Sequence, residues 1–210
     1  MKLLPVLLMA LPTFAEPLLF YSKSFPNSKP DYMEVRLTQD GQAEYRESPT
    51  EDPLRFKLAA ADTEAIFALA AKLGHFSRPL ESGLPVARMG EKTFRWVDGD
   101  KKTEVKFNYS SDVDAEALHD DFEKICESGQ FYYLLERVVK YDRMGVYQVV
   151  LKLEAAWERK RLMGVELFLP LLDRVVKNDS YLNVARDRAA KLAALFRGKP
   201  LDDAGRPAAQ

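Results

Sequence analysis

The chain has 210 residues, of which 47% are hydrophobic, 30% charged and 11% aromatic. This composition excludes an intrinsically disordered chain, because such chains combine few hydrophobic residues with a high net charge. The net charge of −1 and the pI near 6.2 argue against a nucleic-acid-binding protein, which would carry an excess of basic residues.

Residues 1–15 have the pattern of a secretory signal peptide. Lys2 precedes a short apolar run, and Pro12 stands just before a small-residue end at Ala15. The run is shorter than the roughly 20 apolar residues that a transmembrane helix needs. We therefore expect cleavage after Ala15, a periplasmic or secreted protein, and no transmembrane span after removal of the signal. The alternative is a buried N-terminal strand of a cytosolic protein.

The rest of the chain divides into two parts of opposite charge. Residues 16–129 contain 15 Lys and Arg against 22 Asp and Glu, a net charge of −7, whereas residues 130–210 contain 15 against 10, a net charge of +5. The positive part therefore suits an acidic partner or anionic lipid head groups. The residue patterns predict a sheet-and-helix domain over 16–110, a helical region over 111–198 packed on or beside it, and a disordered tail over 199–210.

The first part is predicted to form an antiparallel sheet of five or six strands. Residues 32–45 alternate between apolar and polar around Asp40-Gly41, which indicates a β-hairpin. A three-residue loop with Gly41 in the left-handed conformation pairs Leu37 with Ala43 and keeps the apolar residues on one face. Further strands are expected over residues 20–25 and 54–58.

A second hairpin is predicted between residues 92 and 109. Pairing Trp96 with Val105 and Phe94 with Phe107 places four apolar side chains on one face and requires a four-residue loop. Such an aromatic face must be covered by another element.

The predicted cover is an amphipathic helix over residues 62–73, with Asp62 as its N-cap and Gly74 at its end. Its apolar stripe has helical spacing and consists of Ile66, Leu69, Ala70 and Leu73. The expected fold class is thus α+β: an antiparallel sheet packed on an amphipathic helix, followed by an all-helical C-terminal region.

Helical periodicity begins at Ser111, where Ser111 and Asp114 resemble a capping box. The pair Ser128-Gly129 is predicted to break or weaken the first of these helices. Later helices are expected over residues 131–141, 146–162, 168–176 and 181–196. A docking role for this helical part would require an exposed apolar patch on it.

The sequence assigns no catalytic, cofactor-binding or metal-binding residue. Two histidines and the single Cys126 are too few for a zinc site of the usual type, and one cysteine forms no internal disulfide. Nucleophile-elbow, phosphate-loop and dinucleotide-binding motifs are missing. An acidic cluster lacks the spacing of a calcium-binding hand and suits a helix N-terminus instead; it comprises Asp112, Asp114, Asp120 and Asp121.

The longest irregular stretch, residues 75–90, contains Pro79, Gly83 and Pro85. Long loops inside compact domains are often functional. The candidate functional residues are therefore the polar side chains of this loop, Arg78, Glu81, Ser82 and Arg88. The alternative is a solvated structural loop.

Residues 18–127 resemble a bacterial domain family of unknown function that is found on exported proteins. The resemblance lies in Phe20-Tyr21-Ser22-Lys23-Ser24-Phe25, in Pro30-Asp31-Tyr32 leading to the Asp40-Gly41 turn, in the helix and in the second hairpin. Members often carry a cysteine just before the Pro-x-Tyr step, where this chain has Lys29. The resemblance implies export but no reaction, cofactor or catalytic residue.

Two functions follow as hypotheses. The first is a non-catalytic binding or interaction domain of the cell envelope whose partner is another envelope protein. The alternative is a small periplasmic hydrolase with its site in the 75–90 loop.

Overall fold

The computed structural model describes residues 16–199. The predicted signal peptide, and the predicted tail after Lys199, lie outside the described residues. The fold is α+β, as predicted, with a six-stranded antiparallel sheet and a mostly helical C-terminal region.

The strands are β1 (Leu18–Ser24), β2 (Tyr32–Thr38), β3 (Gln42–Arg46), β4 (Leu54–Lys57), β5 (Glu91–Asp98) and β6 (Lys101–Phe107). They lie in the order β4-β3-β2-β1-β5-β6. The helices are α1 (Ala60–Lys72), α2 (Val113–Tyr141), α3 (Val146–Glu158), α4 (Leu169–Lys177) and α5 (Asn183–Phe196), with short 3-10 turns at Gly74–Phe76 and Val165–Phe168.

The register of the first hairpin is confirmed. Leu37 lies opposite Ala43, and Gly41 has φ of +88°. The Gly41 N–H donates to the Thr38 carbonyl oxygen at 2.9 Å and closes the turn. One buried face was sufficient to predict this register because a slip of one residue would turn every apolar side chain outward.

The predicted register of the second hairpin is wrong by two residues. Phe94 lies opposite Val105, and the loop is shortened to two residues, Gly99 and Asp100. A slip of two residues leaves the same side chains on the inner face, so the apolar pattern cannot distinguish the two registers. The residue pairs on the outer face distinguish the two registers. The observed register sets Arg95 opposite Glu104, where the two side chains bond at 2.5 Å. The predicted register would set Arg95 against a lysine.

Two helices cover the inner face of the sheet, rather than α1 alone. Helix α1 begins at Ala60, so Asp62 lies in its first turn and is not the N-cap. Its Phe67 packs against Trp96 with ring centroids 5.8 Å apart. The centre of the sheet is covered by α2, whose Phe122 stacks on Tyr21 at 5.0 Å.

Helix α2 runs unbroken through Ser128 and Gly129, contrary to the predicted break. A Cβ atom on Gly129 would lie only 2.2 Å from the Tyr45 ring, so glycine here allows the helix to sit close to β3. The Ser128 hydroxyl donates to the Lys124 carbonyl oxygen at 3.0 Å and accepts the Met163 N–H at 2.9 Å. Gly129 therefore allows close packing of α2 on β3, and Ser128 joins α2 to the segment that follows α3.

The C-terminal half has its own core, formed by the last turns of α2 with α3, α4 and α5. The helices occur where predicted, with small shifts at their ends. The N-cap of α2 is Asp112 and not Ser111, since the Asp112 carboxylate accepts the N–H groups of Asp114 and Ala115. None of the helices within residues 16–199 is long and apolar enough to cross a lipid bilayer.

Candidate functional site

The predicted loop remains irregular in the structure from Ser77 to Gly90. Leu80 is buried at its start, and Gly90 is buried where the loop enters β5. Almost all residues between them are exposed. The loop therefore has two fixed ends and an exposed middle.

Asn108, just after β6, anchors this exposed middle. Its side-chain oxygen accepts the Met89 N–H at 2.7 Å, and its side-chain N–H donates to the Ala87 carbonyl oxygen at 3.0 Å. Asn108 is itself held in place, because the buried Lys92 ammonium group donates to its carbonyl oxygen at 2.5 Å. A single side chain thus fixes the C-terminal part of the loop.

Glu81 anchors the N-terminal part of the loop. Its carboxylate accepts the Asn108 N–H at 2.6 Å and the Ser82 N–H at 3.1 Å. These bonds, the one from Asn108 above all, lower the pKa of Glu81, because they favour the charged carboxylate. The Ser82 N–H also donates to the Tyr109 carbonyl oxygen at 2.8 Å. The charged Glu81 carboxylate therefore holds the backbone of Ser82 and Asn108 in place.

The other three candidate residues are only partly brought together. Arg78 forms an ion pair with Asp112, the N-cap of α2, and ties the start of the loop to that helix. The Ser82 hydroxyl oxygen accepts the Leu84 N–H at 3.2 Å. Arg88 lines a small cleft of about 200 Å³ together with Glu81. Only Glu81 and Arg88 thus share a cleft.

Three large apolar side chains of the loop are also exposed, and none of them is among the polar candidate residues. Leu84 is 55% exposed, Val86 41% and Met89 54%. Phe25, 40% exposed, lies beside Gly90 at the end of the loop, since its Cβ is 3.1 Å from the position that a Cβ on Gly90 would take. We call Phe25, Leu84, Val86 and Met89 the loop patch. The available signal was three large apolar residues in a segment without helical or strand periodicity.

A partly buried polar cluster joins the sheet to α2. The Glu123 carboxylate accepts the Tyr21 hydroxyl at 2.5 Å and the Lys23 ammonium group at 2.9 Å, and His119 Nε2 lies 3.5 Å away. Burial alone would raise the pKa of Glu123, but the Tyr21 hydroxyl, the Lys23 ammonium group and the nearby His119 ring outweigh it and lower the pKa to about 2. The cluster fixes α2 on β1.

This cluster is not apparent in the sequence, because its members come from distant parts of the chain. The sequence signal for this cluster was the alternation of side chains along β1, which places Lys23 on the same inward face as Leu19 and Tyr21.

Cys126 is buried in the core of the sheet half, and burial raises the pKa of its thiol. Such a thiol is a poor nucleophile.

The predicted acidic cluster is spread along α2 and its carboxylates pair with different cations. Asp112 pairs with Arg78, and Asp114 lies 3.4 Å from Lys72. Further along the helix, Asp120 and Asp121 both lie within 3 Å of Lys124. Among residues 16–199, no three His, Cys, Asp or Glu side chains are grouped so as to hold a metal ion.

Comparison of the chain with known protein families and with curated proteins finds no match in either.

Proposed function

We propose that the protein is an exported, non-catalytic interaction domain that binds another protein of the cell envelope through the loop patch. The export part of the proposal rests on the signal-peptide pattern of residues 1–15. The binding part rests on the loop.

The observation that carries the proposal is an exposed apolar surface on an anchored loop. Leu84, Val86 and Met89 are each more than 40% exposed, although burying such side chains is favourable by roughly 1.5–3 kcal/mol each. Several large apolar side chains exposed on one short segment are typical of a contact site for another molecule. The bonds to Asn108 hold its backbone in place before any partner arrives, which reduces the entropy lost on binding.

The surroundings of the loop patch suit a protein partner. Arg88 is exposed beside it, and the cleft that Arg88 lines also contains Glu91 and Lys106. Methionine and arginine are enriched at protein interfaces, and an apolar centre with a polar rim is the usual arrangement there. We therefore expect the partner to offer an apolar depression with mixed charges around it.

The polar residues of the loop support binding over hydrolysis. A hydrolytic serine needs a base within hydrogen-bond reach of its hydroxyl. Among the four candidate residues, the Ser82 hydroxyl bonds to Leu84 and the Glu81 carboxylate bonds to backbone N–H groups. Arg78 is engaged with Asp112. These side chains hold the loop in shape.

The experiment is capture of proteins from an envelope extract on three immobilised forms of the protein. The first is the unchanged protein, and the second is the loop variant Leu84→Ser/Val86→Ser/Met89→Ser. The third is a matched control with three exposed apolar side chains removed from the helical half, Tyr141→Ser/Met144→Ser/Val184→Ser.

We expect one envelope protein to be captured by the unchanged protein and the control and to be lost with the loop variant. Thermal unfolding of each form shows that the fold is retained. Equal capture by the loop variant, or no specific capture by the unchanged protein, would overturn the proposal.

A further inference from the structure

A second exposed apolar surface lies at one end of the helical half. Tyr141, the last residue of α2, is 73% exposed, and Met144, in the turn between α2 and α3, is 70% exposed. Leu182, 44% exposed, and Val184, 56% exposed, lie at the start of α5. We call these four residues the helical pole. Exposures of about 70% mean that Tyr141 and Met144 project from the surface.

The two parts of the helical pole belong to one surface. The Tyr181 hydroxyl, next to Leu182, donates to the Val139 carbonyl oxygen in the last turn of α2 at 2.8 Å, and this bond is buried. Tyr181 itself is 5% exposed and packs in the helical core. The α4–α5 connection is thereby held against the end of α2.

Basic residues outnumber acidic residues in the two segments that carry the helical pole. Residues 137–144 and 174–187 together carry six Lys and Arg against three Asp, and the six are Arg137, Lys140, Arg143, Arg174, Lys177 and Arg186. Only Arg186 forms an ion pair within the described part of the chain, with Asp179 at 2.7 Å. The Asp142 carboxylate accepts the Gly145 N–H at 3.0 Å.

Lys140 and Tyr141 form one amphipathic unit, since the Lys140 ammonium group lies 4.9 Å from the centre of the Tyr141 ring. A tyrosine ring beside a cation suits the boundary between lipid head groups and acyl chains, where the ring is half immersed and the cation meets phosphate.

From this arrangement we propose that the helical pole docks the protein peripherally on an anionic lipid bilayer. Tyr141, Met144, Leu182 and Val184 enter the head-group region, and the surrounding cations attract the anionic head groups. Charge complementarity selects lipid as the occupant, because five of the six cations have no carboxylate partner among the described residues. This surface is separate from the loop patch.

The test is co-sedimentation of the purified full chain with vesicles of phosphatidylcholine alone and of phosphatidylcholine mixed with phosphatidylglycerol. The pole variant is Tyr141→Ser/Met144→Ser, and the charge variant is Lys140→Gln/Arg143→Gln. The matched controls are the loop variant and Lys102→Gln, an exposed lysine of β6. All forms carry the same N terminus, so differences between them report on the pole.

We expect binding to the anionic vesicles only, weakened by salt. The pole and charge variants should each bind about tenfold more weakly, and both controls should bind like the unchanged protein. Equal binding to neutral vesicles, or unchanged binding by the pole and charge variants, would overturn the inference.

Absence of vesicle binding, together with loss of a captured envelope protein in the pole variant, would assign the pole to a protein partner instead. The loop-dependent capture described above does not involve the pole, so failure of this inference and failure of the proposed function are distinguishable.

Discussion

The side-chain oxygen of Asn108 accepts the backbone N–H of Met89 at 2.7 Å, and this bond fixes the exposed loop patch to the end of β6. The same side chain donates to the Ala87 carbonyl oxygen. Lys92, buried in β5, holds the Asn108 backbone from the other side. The loop conformation therefore depends on residues that belong to the sheet.

Replacing Asn108 should loosen the loop without unfolding the protein. Asn108→Ala removes both side-chain bonds, each worth about 0.5–1.5 kcal/mol. We expect faster hydrogen exchange at Met89 and weaker capture of the partner, with little change in global unfolding. Asn108→Asp keeps an acceptor for Met89 and should show a smaller effect. Unchanged exchange in the Ala variant would show that the loop is held by other contacts.

The Glu123 cluster should make the protein sensitive to acid. Because the folded-state pKa of Glu123 is lowered from 4.5 to about 2, its stabilising effect is complete above pH 4.5 and is lost as the pH falls towards 2. The shift corresponds to about 3 kcal/mol at neutral pH. Glu123→Gln, which keeps an acceptor for the Tyr21 hydroxyl, should therefore be less stable at pH 7.

Urea unfolding of both forms between pH 7 and pH 3 measures this effect. The difference in free energy of unfolding should shrink as the pH falls, while Glu158→Gln, an exposed carboxylate outside the cluster, should leave the profile unchanged. A difference in free energy of unfolding that stays constant across the pH range would show that ionisation of Glu123 does not cause it.

Gly129→Ala should destabilise the protein although alanine favours helix. Its Cβ would lie 2.2 Å from the ring of Tyr45, which is fully buried and cannot move into solvent. Overpacking of this kind costs about 1–3 kcal/mol, more than the roughly 1 kcal/mol gained in helix propensity. Thermal unfolding should show a lower Tm, and Tyr45→Leu should partly restore it in the double variant. A raised Tm for Gly129→Ala alone would contradict this packing.

The fold was predictable where the residue pattern was compatible with only one strand register. Leu37 and Ala43 fix the first hairpin because a slip of one residue exposes its apolar face. Phe94 and Val105 do not fix the second, since a slip of two residues preserves that face and only the pairing of Arg95 with Glu104 separates the registers. The continuity of α2 through Gly129 depends on Tyr45, which is distant in sequence.

The irregular loop was predictable from the sequence, but the exposure of its apolar side chains was not. The irregular 75–90 stretch was visible from its prolines and glycines. Its polar side chains were selected because catalysis requires polar groups, yet Glu81 and Arg78 hold the loop in place. Whether Leu84 and Met89 face solvent depends on the anchor at Asn108, and no local pattern reports that contact.

Photocrosslinking in living cells tests the central claim most directly, with a photoreactive amino acid in place of Val86. The proposal predicts a covalent adduct with one envelope protein, reduced when Asn108→Ala is present in the same chain. The control places the photoreactive group at Leu151, an exposed position on α3, and should not give this adduct. An equal adduct from both positions, or none from position 86 in correctly folded protein, would contradict binding through the loop patch.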